Sequence, residues 1–127
     1  MPKTTKTLSI LTPILANSGT QKLLPHTIMS VVRQKVPNGW RIEWIVVEDG
    51  AKPVLEHYAW PDIVRYRKIE KQVGEPSART LALSMARGEF VLAFDADDTL
   101  PPGTIQKICN AFDAHPQAHW IAGQEST

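Results

Sequence analysis

Three carboxylates, Asp95, Asp97 and Asp98, follow a five-residue apolar run from Phe90 to Phe94, with Ala96 between the first two. Acids this close repel one another unless a positive charge sits between them. A hard divalent cation is the natural partner, because it takes carboxylate oxygens and bridges to phosphate. A continuous apolar run of this length reads as a strand buried on both faces, as in a parallel sheet. The acids then fall at the carboxyl end of that strand, where open α/β folds bind their ligands. A plainer reading is an acidic turn that caps the next helix, since Asp and Thr are good N-caps. On this stretch alone both readings stand.

The elements that must position these acids can be followed along the chain. Leu8 to Pro13 reads as a short apolar strand stopped by Pro13, and Ile42 to Val47 as a second strand ending in Glu48, Asp49 and Gly50. Between them Leu24, Ile28, Val31 and Val32 recur at helical spacing, and Pro25 places the helix start close by. Ile63 to Ile69 mixes Val64 and Tyr66 with Arg65 and Arg67, the pattern of a strand near an edge. Leu81, Ala82 and Met85 share one face of a following helix, with Gly88 as its expected stop. Pro101 and Pro102 can open the last helix but not continue one, and Ile105, Ile108, Cys109 and Phe112 give its apolar stripe. Trp120 to Ala122 is expected to add a fifth short strand. Strands alternating with helices indicate one α/β domain, a mostly parallel open sheet with flanking helices. In such a sheet the ends of strands one, two and four share an edge, so Pro13, Asp49 and the three later acids converge on one crevice.

Composition narrows the function. The chain has 127 residues, enough for a single core, and is 43% hydrophobic and 21% charged. A net charge of +1 gives no electrostatic case for nucleic acid or an anionic membrane. Cys109 has no second cysteine to pair with and falls among apolar helix positions, so it reads as a small core residue. Residues 1–6 are a short polar lead, not followed by an apolar stretch long enough for a signal peptide or a membrane helix; a cytoplasmic protein is expected. His26, His57, His115 and His119 show no metal-ligand spacing and read as surface or capping residues.

Taken in order, these blocks resemble the N-terminal half of the family 2 inverting glycosyltransferases, nucleotide-sugar enzymes of the GT-A fold. The resemblance rests on the first strand with its proline, Ser30 and Gln34 at the end of the first helix, and Val46 to Ala51. It continues through Gly74, Ala78-Arg79-Thr80, Gly88-Glu89 and the Asp-x-Asp-Asp block, and covers Leu8 to about Phe112. It implies that a UDP-sugar or other nucleotide-diphosphate sugar binds through Pro13, Asp49, Arg79, Asp95 and Asp97. Asp49 would accept a hydrogen bond from the nucleobase ring N–H, and Arg79 would sit near the base and diphosphate. Asp95 would lie near the ribose and metal, and Asp97 would hold the Mn²⁺ or Mg²⁺ ion on the diphosphate. Asp98 would touch the sugar or cap the next helix. Ser30, Gln34 and Gly74 read as structural and not as contacting residues. Many relatives place a Tyr shortly after the first proline; Ile14-Leu15-Ala16 has no aromatic, so Leu15 would cover the base by dispersion.

In this family the general base lies in the C-terminal half, beyond Thr127, so no catalytic residue is assigned. The expectation is a single nucleotide-sugar-binding domain over residues 1–127, the N-terminal part of a longer glycosyltransferase and inactive alone. The apolar surface left beside the fourth strand and around Trp120 would favour self-association. The competing reading is a non-catalytic nucleotide-sugar-binding module acting with another chain. A nucleotidyltransferase would show a Gly-rich loop after the first strand, where Thr12 to Gly19 has one glycine. A haloacid-type phosphatase would carry its Asp-x-Asp after the first strand, not the fourth.

Overall fold

The computed structural model describes residues 5–15, 19–50, 53–69 and 75–115. The expected strand at Trp120 to Ala122 and the family glycine Gly74 lie outside them. Four strands, β1 (Lys6–Leu15), β2 (Trp40–Asp49), β3 (Val64–Ile69) and β4 (Phe90–Ala93), form one sheet in the order β3-β2-β1-β4. Every pairing is parallel. The helices are α1 (Leu24–Val32), preceded by a single 3-10 turn, α2 (Glu75–Met85) and α3 (Thr104–Ala114).

Alternation along the central strands decides which helix lies on which face. Leu8, Ile10 and Ile14 of β1 and Trp40, Trp44 and Val46 of β2 point to one side. There they pack on Leu24, Ile28 and Val31 of α1 and Ile105, Cys109 and Phe112 of α3. The intervening Leu11, Ile45 and Val47 point to the other side and meet Ala78 and Ala82 of α2, whose small side chains let the helix lie close. Pro25 falls in the first turn of α1, where its missing N–H costs nothing. Pro101 and Pro102 precede α3 in a turn, and the Pro101 carbonyl accepts from both the Thr104 N–H (3.2 Å) and the Thr104 hydroxyl (2.7 Å).

Four expectations change. Pro13 does not stop β1, which runs on to Leu15 and pairs with β2 as far as Asp49. The Phe94 N–H bonds the Leu11 carbonyl, so Leu11 and, two residues on, Pro13 direct their backbone groups toward β4. Because β4 ends at Ala93, the N–H that proline lacks has no partner to lose. β2 is likewise longer than its apolar run, and Glu48 and Asp49 lie inside the strand. β4 is not buried on both faces. It is an outer strand of the described sheet, α2 covers β1 and β2 instead, and Val91 is 47% exposed.

Gly88, finally, does not end a helix, since α2 stops at Met85. It is needed for close approach: a Cβ there would lie 2.5 Å from the Thr7 carbonyl oxygen and 2.6 Å from Ser9 Oγ. That approach sits in a polar cluster at the amino ends of the strands. The Ser9 hydroxyl (2.5 Å), the Arg87 N–H (2.7 Å) and the Arg65 guanidinium (2.9 Å) all donate to Glu43. Arg65 also donates to the Met85 carbonyl. Burial pushes the Glu43 carboxyl up, but these donors together hold it below the usual carboxylate range.

Candidate nucleotide-sugar site

Beyond Phe94 the chain leaves the sheet in a tight turn closed by the Asp98 N–H on the Asp95 carbonyl (3.1 Å). Phe94 and Ala96 are buried, with the Phe94 ring 6.2 Å from that of Trp44, so the turn is seated on the core by its apolar residues. Its acids face solvent. Asp95, Asp97 and Asp98 each bring one carboxylate oxygen to within 4.8 Å of the others. An ion bound by oxygens at about 2.1 Å holds opposite ligands about 4.2 Å apart, within a small side-chain rotation of this spacing. All-oxygen donors of charge suit Mg²⁺ or Mn²⁺ and not a soft ion. Asp98 is not the cap of α3, whose N-cap is Gly103.

The turn is held mainly by α1. The Thr27 hydroxyl, fully buried, lies 2.9 Å from the Ala96 carbonyl and 2.8 Å from that of Asp98. One turn on, Ser30 Oγ accepts from the Leu100 N–H (3.0 Å) and donates to the Thr27 carbonyl (2.7 Å). Gln34 Nε2 donates to the Pro101 carbonyl (2.9 Å), and its Oε1 accepts from the Ile105 N–H (3.0 Å). Ser30 and Gln34 are therefore structural ties. Thr27 was not legible as a third, although positions 27, 30 and 34 share one helical face on which three polar side chains recur.

At the end of β2 the two acids have opposite fates, because successive side chains point to opposite faces. Glu48 faces the α1 side and is fully buried. It accepts hydrogen bonds from the backbone N–H groups of Val54 (2.9 Å) and Leu55 (3.0 Å) and from the Tyr66 hydroxyl (2.5 Å). It anchors the segment after β2 from inside the core. Burial, and then the Glu48 carboxylate, drive the Tyr66 phenol well above its ordinary value. Asp49 points to the α2 side, is 1% exposed, and is in register with Leu15 on β1, which is 47% exposed.

Pro13 and Leu15 share that face. α2 runs back across it from the carboxyl edge toward the amino edge, where its last residue, Met85, meets Arg65. Arg79, an exposed residue of α2, therefore belongs to the half of the helix nearer Asp49. One edge of the sheet thus carries Pro13, Leu15, Asp49 and the acidic turn. Asp113 does not join them. It is tied to Lys6 (2.5 Å) and to the Trp40 indole N–H (3.0 Å) at the opposite edge, where the strands begin.

A four-stranded parallel sheet with helices on both faces and acids at its carboxyl edge is an open α/β domain of the GT-A type. Residues 9–125 match the glycosyl transferase family 2 profile, and the chain belongs to that family. It is 30% identical over 99 residues to the minor teichoic acid biosynthesis protein GgaB of Bacillus subtilis strain 168, covering 72% of this chain and 11% of that protein. Crystal structures of S. aureus TarS are similar in fold. A fragment of residues 1–349 superposes with a TM-score of 0.71 at 26% identity, covering 87% of this chain and 33% of that one. The same fragment in complex with UDP-GlcNAc also gives 0.71 at 26%, covering 87% and 32%. The chain thus spans about a tenth of the curated relative and a third of the TarS fragment. Among the described residues no helix is long and apolar enough to cross a membrane.

Proposed function

We propose that this chain is the donor-binding part of a glycosyltransferase and takes a nucleotide-diphosphate sugar, of which the UDP-GlcNAc in the TarS complex is an example. The observation that carries the proposal is the convergence of three exposed carboxylates beside the ends of β1 and β2 in a family 2 chain. Asp95 and Asp97 are the residues we assign to a Mn²⁺ or Mg²⁺ ion. Such an ion, when bound, offsets the charge that develops on a departing diphosphate. Asp49, held rigid by the strand and shielded from water, is suited to accept from a nucleobase ring N–H, with Leu15 beside it offering apolar cover. Pro13 shapes the floor between them, and Arg79 supplies a cation on the α2 side for the diphosphate.

We assign the general base and the acceptor site to residues outside this set. Glu48 already serves three donors in the core, and Asp113 lies at the wrong edge.

Calorimetric titration of UDP with and without Mn²⁺ tests the proposal. Binding is expected to strengthen with Mn²⁺, and Asp97→Ala to abolish the gain. Asp49→Ala is expected to weaken UDP binding roughly ten- to a hundredfold, the loss of one buried partner. Equal affinity in both buffers would rule out the metal role, and an unchanged Asp49→Ala would rule out the base contact.

A further inference from the structure

We propose that Thr27 is a positioning residue for the acidic turn, setting the direction in which Asp97 and Asp98 leave the backbone beside Asp95 and so the geometry the turn offers to a divalent ion; the inference rests on the metal reading above. The turn needs an outside tether. Three like charges lie within 4.8 Å of one another, and β4 ends at Ala93, so the sheet supplies no pairing beyond the bond from the Phe94 N–H. Thr27 supplies that tether at the point of greatest leverage. Its single proton is shared between the carbonyls of Ala96 and Asp98, at 2.9 and 2.8 Å. The first carbonyl belongs to the peptide plane entering Asp97 and the second to the plane leaving Asp98. Fixing both planes fixes the direction in which the two intervening side chains leave the backbone.

Thr27 is itself immobilised. It is fully buried, sits in the first turns of α1 with its N–H on the Leu23 carbonyl (3.0 Å), and is β-branched. Ser30 and Gln34 act farther along, on Leu100, Pro101 and Ile105. They secure the descent into α3 without bracketing an acid. The three ties therefore divide into one that aims the carboxylates and two that hold the loop.

The test is a Mn²⁺ titration, in the presence of UDP, of the wild-type chain and the variants Thr27→Ser, Thr27→Val and Ser30→Ala, each checked by thermal melting. Valine keeps the shape and removes the hydroxyl; it should weaken Mn²⁺ binding about tenfold or more, while serine stays within about threefold of wild type, as expected for one hydrogen bond to a buried acceptor. UDP affinity in EDTA should be the same for all. Ser30→Ala should lower the melting temperature yet leave Mn²⁺ affinity intact, which separates aiming from general stability. Thr27→Cys, a weaker donor of similar size, is the second measurement where valine prevents folding. Wild-type Mn²⁺ affinity in either the valine or the cysteine variant overturns the inference and leaves the proposed function standing. A wild-type chain with no Mn²⁺ response defeats the metal reading, and this inference with it.

Discussion

Replacing Glu48 by glutamine is expected to destabilise the fold even though it changes one atom. The carboxylate uses Oε1 for the Leu55 N–H and the Tyr66 hydroxyl, and Oε2 for the Val54 N–H. A glutamine can point its carbonyl oxygen at one backbone N–H, but its NH₂ group then faces the other. Tyr66 adapts by accepting instead of donating; a backbone N–H cannot. One buried donor is left unsatisfied, at a cost of about 1–3 kcal/mol. Glu48→Ala strands both backbone donors and opens a cavity, so about 3–5 kcal/mol is expected. A domain of this length has about 6–19 kcal/mol of stability in all, so the glutamine variant should fold and the alanine variant be marginal. Tyr66→Phe removes one donor to the carboxylate and should cost about 1.5–3 kcal/mol. Urea unfolding followed by tryptophan fluorescence reports all three, because Trp44 is fully buried and its indole N–H bonds Thr12 Oγ1 at 2.8 Å. A glutamine variant within about 0.5 kcal/mol of wild type, the usual range for surface changes, would refute the anchoring role of Glu48.

Gly88→Ala should cost about 1–3 kcal/mol by overpacking, read in the same assay, because the new methyl meets the Thr7 backbone at 2.5 Å. Burial, and then Asp113, push the Cys109 thiol up to about 11, so it should resist a thiol reagent at pH 8 in the folded chain and react fully in urea. That raised value means a contribution to stability present below the ordinary 9.0 and lost as pH rises through about 11. Glu43 acts in the opposite sense: its lowered pKa contributes stability above the ordinary 4.5, lost as pH falls through the folded value, so acid unfolding of Glu43→Gln should begin from a flatter profile. The purified 127-residue chain, given nucleotide sugars, Mn²⁺ and acceptors, should give no multiple-turnover product by mass spectrometry, since a general base is usually worth about 10²–10⁴-fold.

Much of this architecture could be read from periodicity, because apolar stripes such as Ile105, Cys109 and Phe112 have one way to be buried. The converging strand ends followed from the parallel order alone. What escaped depends on neighbours. Pro13 reads as a breaker until the direction of its missing N–H is known, and Phe90 to Phe94 reads as doubly buried until α2 is seen to lie over β1 and β2. Glu48 and Asp49 are chemically alike and adjacent; the strand's alternation sends one into the core as an anchor and the other to the α2 face. Thr27 looked like an ordinary helix residue because its partners, Ala96 and Asp98, lie about seventy positions away.

The placement of β4 also bears on the order in which the molecule assembles. β1 and β2 are joined through one short helix, but β4 reaches β1 only after the chain has passed through β2, β3 and α2. The contact between Thr7 and Glu89 closes a separation of 82 residues. Such distant pairings pay their loop entropy before they gain any contact. The acidic turn hangs from this four-residue outer strand and from α1. It should therefore be among the first parts to open in native-state hydrogen exchange, with the amides of residues 95–100 losing protection while those of β1 and β2 keep theirs.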